Sequence, residues 1–195
     1  MVKQTSAQDL SLVERTLAGD LAAFEELVEH YRLDVYRVAA RIVGPDEADD
    51  VTQDAFLRAF HKLDTFRGES FRAWLLRITH NRALNVIALR KPEPVDPVEH
   101  QERQEEDEAP SRQDPARSLE DSERRERLAG KLEQLRPGHR SVLVLRDLEG
   151  FSYEEIAEIT DSPLGSVKGR LHRAREELIE ILRRNTYDWE LPNEH

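Results

Sequence analysis

The sequence predicts an all-α protein of two small helical domains joined by a flexible acidic linker. Apolar residues recur at steps of three and four through most of the 195 residues, with no internal repeat and no convincing strand alternation. Helix start and stop signals divide that rhythm into separate helices. Between residues 92 and 121 the rhythm vanishes, replaced by Pro92, Pro94, Pro97, Pro110 and Pro115 among many acids. A stretch so poor in large apolar residues cannot offset its ordering entropy by burial. The expected organisation is therefore a helical bundle over 1–91, a linker over 92–121, a second helical domain over 122–184 and a tail over 185–195.

A short helix is predicted from Asp9 to Ala18 through Leu10, Val13 and Leu17, with Gly19 as its stop and Asp20 as the next N-cap. Phe24, Leu27, Val28, Tyr31, Val35, Val38, Ala39 and Ile42 carry a longer helix that Gly44 and Pro45 end. Asp46 to Leu63 restarts with Asp46, Glu47, Asp49 and Asp50 at the positive end of the helix dipole. Val51, Ala55, Phe56, Ala59, Phe60 and Leu63 are expected to face inward, leaving Asp50, Gln53, Asp54 and Arg58 outside. After the break at Gly68, Phe71, Trp74, Leu75, Ile78, Ala83, Val86 and Ile87 mark a fourth helix. No acid falls between Glu69 and Glu93, whereas Arg72, Arg77, His80, Arg82, Arg90 and Lys91 do, which predicts a basic surface. Phe71 and Trp74, at helical spacing, read as core rather than as platforms for bases.

Beyond the linker, Ser122 to Leu135 resumes through Leu128, Leu132 and Leu135, and Pro137 opens a helix that Gly150 stops. Ser152 and Glu155 have the spacing of a capping box, so a helix begins there. Asp161 and Ser162 offer a second N-cap, with Pro163 as a first helical residue. Leu164, Val167, Leu171, Ala174, Leu178 and Ile181 then form one apolar stripe. The other side presents Ser166, Lys168, Arg170, His172, Arg173 and Arg175, with no acid before Glu176. A capped helix, a tight turn and a second helix with a cationic face have the form in which a helix-turn-helix offers its recognition helix to the major groove. Helix pairs also occur in ordinary bundles, so this segment alone leaves both readings open.

The formal net charge of −11, with 35% charged residues, argues against coating nucleic acid by bulk charge, so local distribution matters. The absence of cysteine excludes disulfides and thiolate metal sites. No apolar run is long enough to span a bilayer, and Met1 is followed by polar residues, so no membrane insertion and a cytoplasmic location are expected. Glu25, Glu26 and Glu29, with Asp46, Glu47, Asp49 and Asp50, could be arranged as in an all-helical, magnesium-dependent nucleotide pyrophosphohydrolase. Acids at helix starts are, however, what the dipole favours, and no substrate-binding motif accompanies them. The expectation is a non-enzyme without metal or cofactor.

DVTQDAFLRAFHKLDTFRGESFRAWLLRITHNRALN, from Asp50 to Asn85, resembles region 2 of the extracytoplasmic-function sigma factors of bacterial RNA polymerase, in the sigma-70 family. LRPGHRSVLVLRDLEGFSYEEIAEITDSPLGSVKGRLHRAR, from Leu135 to Arg175, is similar to their region 4. The two occur in the family's order, separated by a linker. The resemblance implies a dissociable promoter-specificity subunit, with region 2 reading the minus-10 element and region 4 the minus-35 element. Its implied partners are core RNA polymerase (beta-prime clamp helices and beta flap), promoter DNA and an anti-sigma factor, and no stable homo-oligomer is expected. By that similarity Asp50, Gln53, Asp54 and Arg58 lie in the polymerase-binding segment. Arg77, Asn81, Arg82 and Asn85 lie in the minus-10 segment, the amides suiting a flipped base and the arginines phosphate. Ser166, Lys168, Arg170, His172, Arg173 and Arg175 are the minus-35 candidates, with Arg146 and Arg175 placed toward phosphate. Two departures stand out. The loop at FRGES is one residue shorter than the usual form, and Gly169 stands where many relatives carry a small hydroxyl residue. An ordinary helix-turn-helix regulator is the alternative, although the N-terminal half shows neither a phosphate loop nor an α/β pattern.

Overall fold

The computed structural model describes residues 6–68, 70–90 and 127–184. The linker over 92–121, the predicted helix start at Ser122 and the tail over 185–195 lie outside the described residues. Every regular element among those described is helical: α1 (Ala7–Leu17), α2 (Leu21–Val43), α3 (Pro45–His61), a 3-10 turn at Leu63–Thr65, α4 (Phe71–Arg90), α5 (127–132), α6 (Pro137–Leu143) with a π-helical extension at Val144–Leu148, α7 (Tyr153–Thr160) and α8 (Leu164–Arg184).

Side-chain caps set the first boundaries. Ser6 Oγ accepts from Asp9 N–H and the Asp9 carboxylate accepts from Ser6 N–H, so α1 starts two residues ahead of the expected Asp9. Tyr31 Oη donates to the same carboxylate at 2.9 Å, tying α1 to α2. Burial, followed by the neighbouring Asp9, pushes the Tyr31 phenol well above its ordinary pKa. Asp20 caps α2 as expected, its carboxylate accepting from Ala23 N–H at 3.3 Å. Gly44, at φ +95°, makes the sharp break that lets Pro45 open α3.

The N-terminal bundle closes on Leu27, Val35, Val38 and Ile42 of α2, Val51, Ala55 and Ala59 of α3, and Phe71, Leu75 and Leu76 of α4. Each large apolar side chain removed from water contributes about 1.5–3 kcal/mol, which is what a bundle of amphipathic helices has to offset ordering entropy. Phe66, Phe71, Trp74 and Tyr31 pack ring to ring beneath the α3–α4 connection, so Phe71 and Trp74 are core residues as expected. Phe60 departs from expectation. It remains 37% exposed, resting edge-on against Phe24 with ring centroids 5.0 Å apart.

The fourth helix carries a larger difference. Ala73, Leu76, Thr79 and His80 are buried along with Phe71, Trp74, Leu75 and Ala83 of the predicted stripe, while Ile78, Val86 and Ile87 are half-buried, because α2 and α3 cover one side of α4 and α7 packs along another. His80 therefore leaves the basic surface on which the sequence placed it. Its Nε2 lies 3.1 Å from Ser141 Oγ, and burial lowers its pKa to about 4.

Several polar ties join the two halves. Arg140 is buried and donates to Ile42 O at 2.6 Å, to Glu133 O at 2.5 Å and to Leu135 O at 3.4 Å, so one guanidinium serves carbonyls of both halves. Arg41 pairs with Glu149, whose side chain is 5% exposed. Arg72 sits 4.3 Å above the Phe151 ring while its Nε donates to Asp34 at 2.7 Å. The apolar residues of both halves form a single buried cluster.

Candidate nucleic-acid interface

The helix-turn-helix is built as its caps predict. Ser152 Oγ accepts from Glu155 N–H at 3.1 Å, and Glu155 Oε2 accepts from Ser152 N–H at 2.8 Å. The turn differs in detail. Asp161 adopts φ +49° and ends α7 instead of capping α8, an αL position that Asp tolerates better than most residues. The Ser162 hydroxyl donates back to Thr160 O, and the first bond of the next helix runs from Val167 N–H to Pro163 O. Helix α8 therefore begins one residue later than expected, at Leu164.

Val167, Leu171, Ala174 and Ile181 seat α8 on the core, whereas Leu178 is half-buried and Leu164 is exposed. Lys168, His172 and Arg173 point to solvent, and Arg170 is half-buried with its side chain beside Gly138. Ser166 was expected on the same outer face, but it borders Val167 on the inward edge and is 7% exposed, its hydroxyl enclosed without a hydrogen-bond partner. His172 Nε2 lies 3.5 Å from Glu176, one helical turn on. Arg175 grips Asp147 with two nitrogens, at 2.9 and 3.3 Å. Arg146 donates to Phe151 O at 2.9 Å and stacks 4.7 Å from the Tyr153 ring centroid, and Lys168 Nζ approaches the same ring at 5.8 Å. Arg146 and Arg175 thus brace the motif, while Lys168, His172 and Arg173 form its open face. A Cβ added at Gly169 would meet nothing within 4 Å, so that gap in the face is a matter of chemistry and not of space.

On α4, Arg77, Asn81 and Asn85 are exposed at successive steps of four, which makes one stripe of a cation and two amides. Arg82 flanks it, half-buried, with Nε 2.5 Å from Asp54 Oδ2 on α3. Arg90 is held by Glu47, also on α3. Arg72 has turned inward to Asp34. Burial would raise that aspartate's pKa, but Arg72 and Arg37 outweigh it and hold the group below its ordinary value.

Asp50, Gln53 and Arg58 are exposed on α3, with Asp54 half-buried among them. Beside them a groove of about 530 Å³ runs between α2 and α3 over Phe24, Val28, Phe56, Leu57 and Phe60, with Gln53 on its wall. Phe56 is its floor, 7% exposed, while Leu57 is 54% exposed. The apolar half of this face was not found from the sequence. The available signal was Leu57, a large apolar residue one position off the inward stripe. Among the described residues no group of three or more His, Asp or Glu side chains is arranged to hold a metal ion. No described helix is long and apolar enough to cross a membrane.

Two family models match the chain, sigma-70 region 2 over residues 27–92 and sigma-70 region 4 over residues 125–178. The chain is 38% identical over 173 residues to the ECF RNA polymerase sigma-E factor of Escherichia coli K12, covering 86% of this chain and 91% of that one. It is 38% identical over 184 residues to the RNA polymerase sigma-H factor of Pseudomonas aeruginosa PAO1, covering 91% and 95% respectively. Among solved structures, CnrH in complex with the cytosolic domain of CnrY aligns with a TM-score of 0.66 and 27% identity, over 91% of this chain and 99% of that one. With the helix-turn-helix in the second matched region, the stripe of α4 in the first, and relatives matched over nearly their whole length, this chain belongs to the extracytoplasmic-function sigma factors of the sigma-70 family.

Proposed function

We propose that the chain is a promoter-specificity subunit that docks on core RNA polymerase and directs initiation from promoters with minus-35 and minus-10 elements, in the bacterial cytoplasm. The observation that carries this is the pairing, in one chain, of two exposed DNA-suited helix faces with a separate polar and apolar docking face. Lys168, Arg170, His172 and Arg173 of α8 read the minus-35 element, Lys and Arg being donors suited to guanine O6 and N7. Arg77, Asn81 and Asn85 of α4, with Arg82 beside them, engage the minus-10 element. Asp50, Gln53, Asp54 and Arg58, with the groove over Leu57 and Phe60, receive the polymerase clamp, where acidic and amide groups suit a basic helix and the groove takes its apolar anchors. CnrH was solved in complex with the cytosolic domain of CnrY, which supports a protein partner for this chain as well, read here as one of the anti-sigma class.

Elements at minus-35 and minus-10 lie, by their positions, about 25 base pairs apart, roughly 85 Å at 3.4 Å per pair. A compact chain of this length is on the order of 40 Å across. To reach both elements at once, the two DNA-suited faces have to part, so the α4–α7 contact opens on the promoter. The test is run-off transcription with purified core polymerase, with and without this chain. Transcripts that appear only when both are present support the reading. Tight promoter binding by the chain alone, with no dependence of transcription on it, would instead make it an ordinary helix-turn-helix regulator.

A further inference from the structure

Helix α3 carries the docking face and α4 the minus-10 face, and one carboxylate stands between them. Asp54 Oδ2 lies 2.5 Å from Arg82 Nε and accepts from Arg58 Nε at 2.9 Å. The Asp54 and Arg82 side chains are each about 30% exposed, Arg58 more so. Arg82 Nε finds no acceptor aligned for a hydrogen bond, so its hold on Asp54 is an attraction of charges and not an oriented bond. Arg82 Nε itself is enclosed, but with both side chains about 30% exposed and no oriented bond between them, the pair exchanges more readily than a buried, hydrogen-bonded one. A carboxylate shared by two guanidinium groups is also the group a third cation would compete for.

We propose that Asp54 is a positioning residue that couples polymerase docking to DNA binding. In the free chain it keeps Arg82 turned toward α3 and partly neutralised. When a cationic side chain of the docking partner takes Asp54, Arg82 is released beside the Arg77, Asn81 and Asn85 stripe as an added phosphate ligand. Glu47 holds Arg90 in the same way, so α3 restrains two arginines of the DNA-facing helix at once. The coupling rests on the proposed docking of α3 against the polymerase, and it gives a physical reason for a chain with a DNA-reading helix to bind DNA poorly until it is docked.

The test compares the full chain with Asp54→Asn, Arg82→Gln and the double variant, measuring equilibrium binding to a mixed-sequence single-stranded DNA across a range of salt. Each phosphate neutralised on a single strand adds about 0.7 to the steepness of log K against log salt. Asp54→Asn is expected to bind more tightly and to steepen that slope by about 0.7, and Arg82→Gln is expected to abolish both effects when combined with it. An unchanged slope in Asp54→Asn overturns the proposal. A steeper slope that survives in the double variant also overturns it, because the gain is then general loss of negative charge. Run-off transcription with the unaltered chain separates the two ideas. Transcription that depends on the chain, with no slope change, leaves the docking reading standing and removes only the coupling.

Discussion

His80 should make the stability of this protein depend on pH between about 6.5 and 4. Its imidazole is buried between α4 and α6, 3.1 Å from Ser141 Oγ and 3.4 Å from Asn81 Oδ1. Burial is the main reason its pKa falls to about 4; Asn81 opposes the shift and the charge of Arg170 adds to it. The unfolded chain takes up this proton below about 6.5, and the folded chain does so only near 4, so the unfolded state binds more protons between the two values. Stability is therefore full above about pH 6.5, falls as the pH drops toward 4, and loses nothing further from this group below that. The full shift corresponds to about 3 kcal/mol. The assay is urea denaturation from pH 4 to 7.5 for the wild type and His80→Gln, with the difference between the two isolating His80 from carboxylates that titrate at the acid end. With urea slopes of about 1–3 kcal/mol per molar, the wild-type midpoint should fall by roughly 1–3 M more than that of the variant. Parallel midpoints across this range would refute the reasoning, because a buried neutral imidazole cannot be indifferent to protonation.

Replacing Arg140 by Met leaves Ile42 O, Glu133 O and Leu135 O without their shared donor, and should cost about 3 kcal/mol or more in denaturation, against near zero for the exposed Arg173→Met. Arg41→Glu and Glu149→Arg should each widen the distance between spin labels on cysteines introduced at Asp64 and Glu180, and the double reversal should restore it; the natural absence of cysteine makes the labels specific. In holoenzyme, Lys168→Ala and Arg173→Ala should each weaken binding to a promoter carrying the minus-35 element by about 1–3 kcal/mol and relax the base preference there, while core binding is unchanged. Leu57→Asp should reduce affinity for core polymerase without loss of helix content, since Leu57 is already 54% exposed.

Local chemistry made most of the helices legible before any coordinates. The capping box at Ser152, the breaks at Gly44 and Gly150, Pro137 at a helix start, and the apolar stripe from Val167 to Ile181 all act over one or two turns, and each is borne out, whereas Pro45, read as ending α2, opens α3 one residue ahead of the expected Asp46. The polar faces of α3 and α4 were readable in the same way, because a polar face opposite an apolar stripe is a local pattern, while the docking and DNA roles proposed for them come from the family resemblance. What periodicity misses is the second side of a helix. A stripe reports one buried face, so α4, covered by α2 and α3 on one side and by α7 on another, hid the burial of His80. Likewise Ser166 lost its place on the outer face to the inward edge of α8, and Phe60 and Leu57 became a groove because no neighbour covers them. The pairings across the structure, Arg140 with Ile42, Arg82 with Asp54 and Arg41 with Glu149, join residues far apart in the chain. Which cation meets which acid depends on how whole helices pack, and only the tertiary structure decides that.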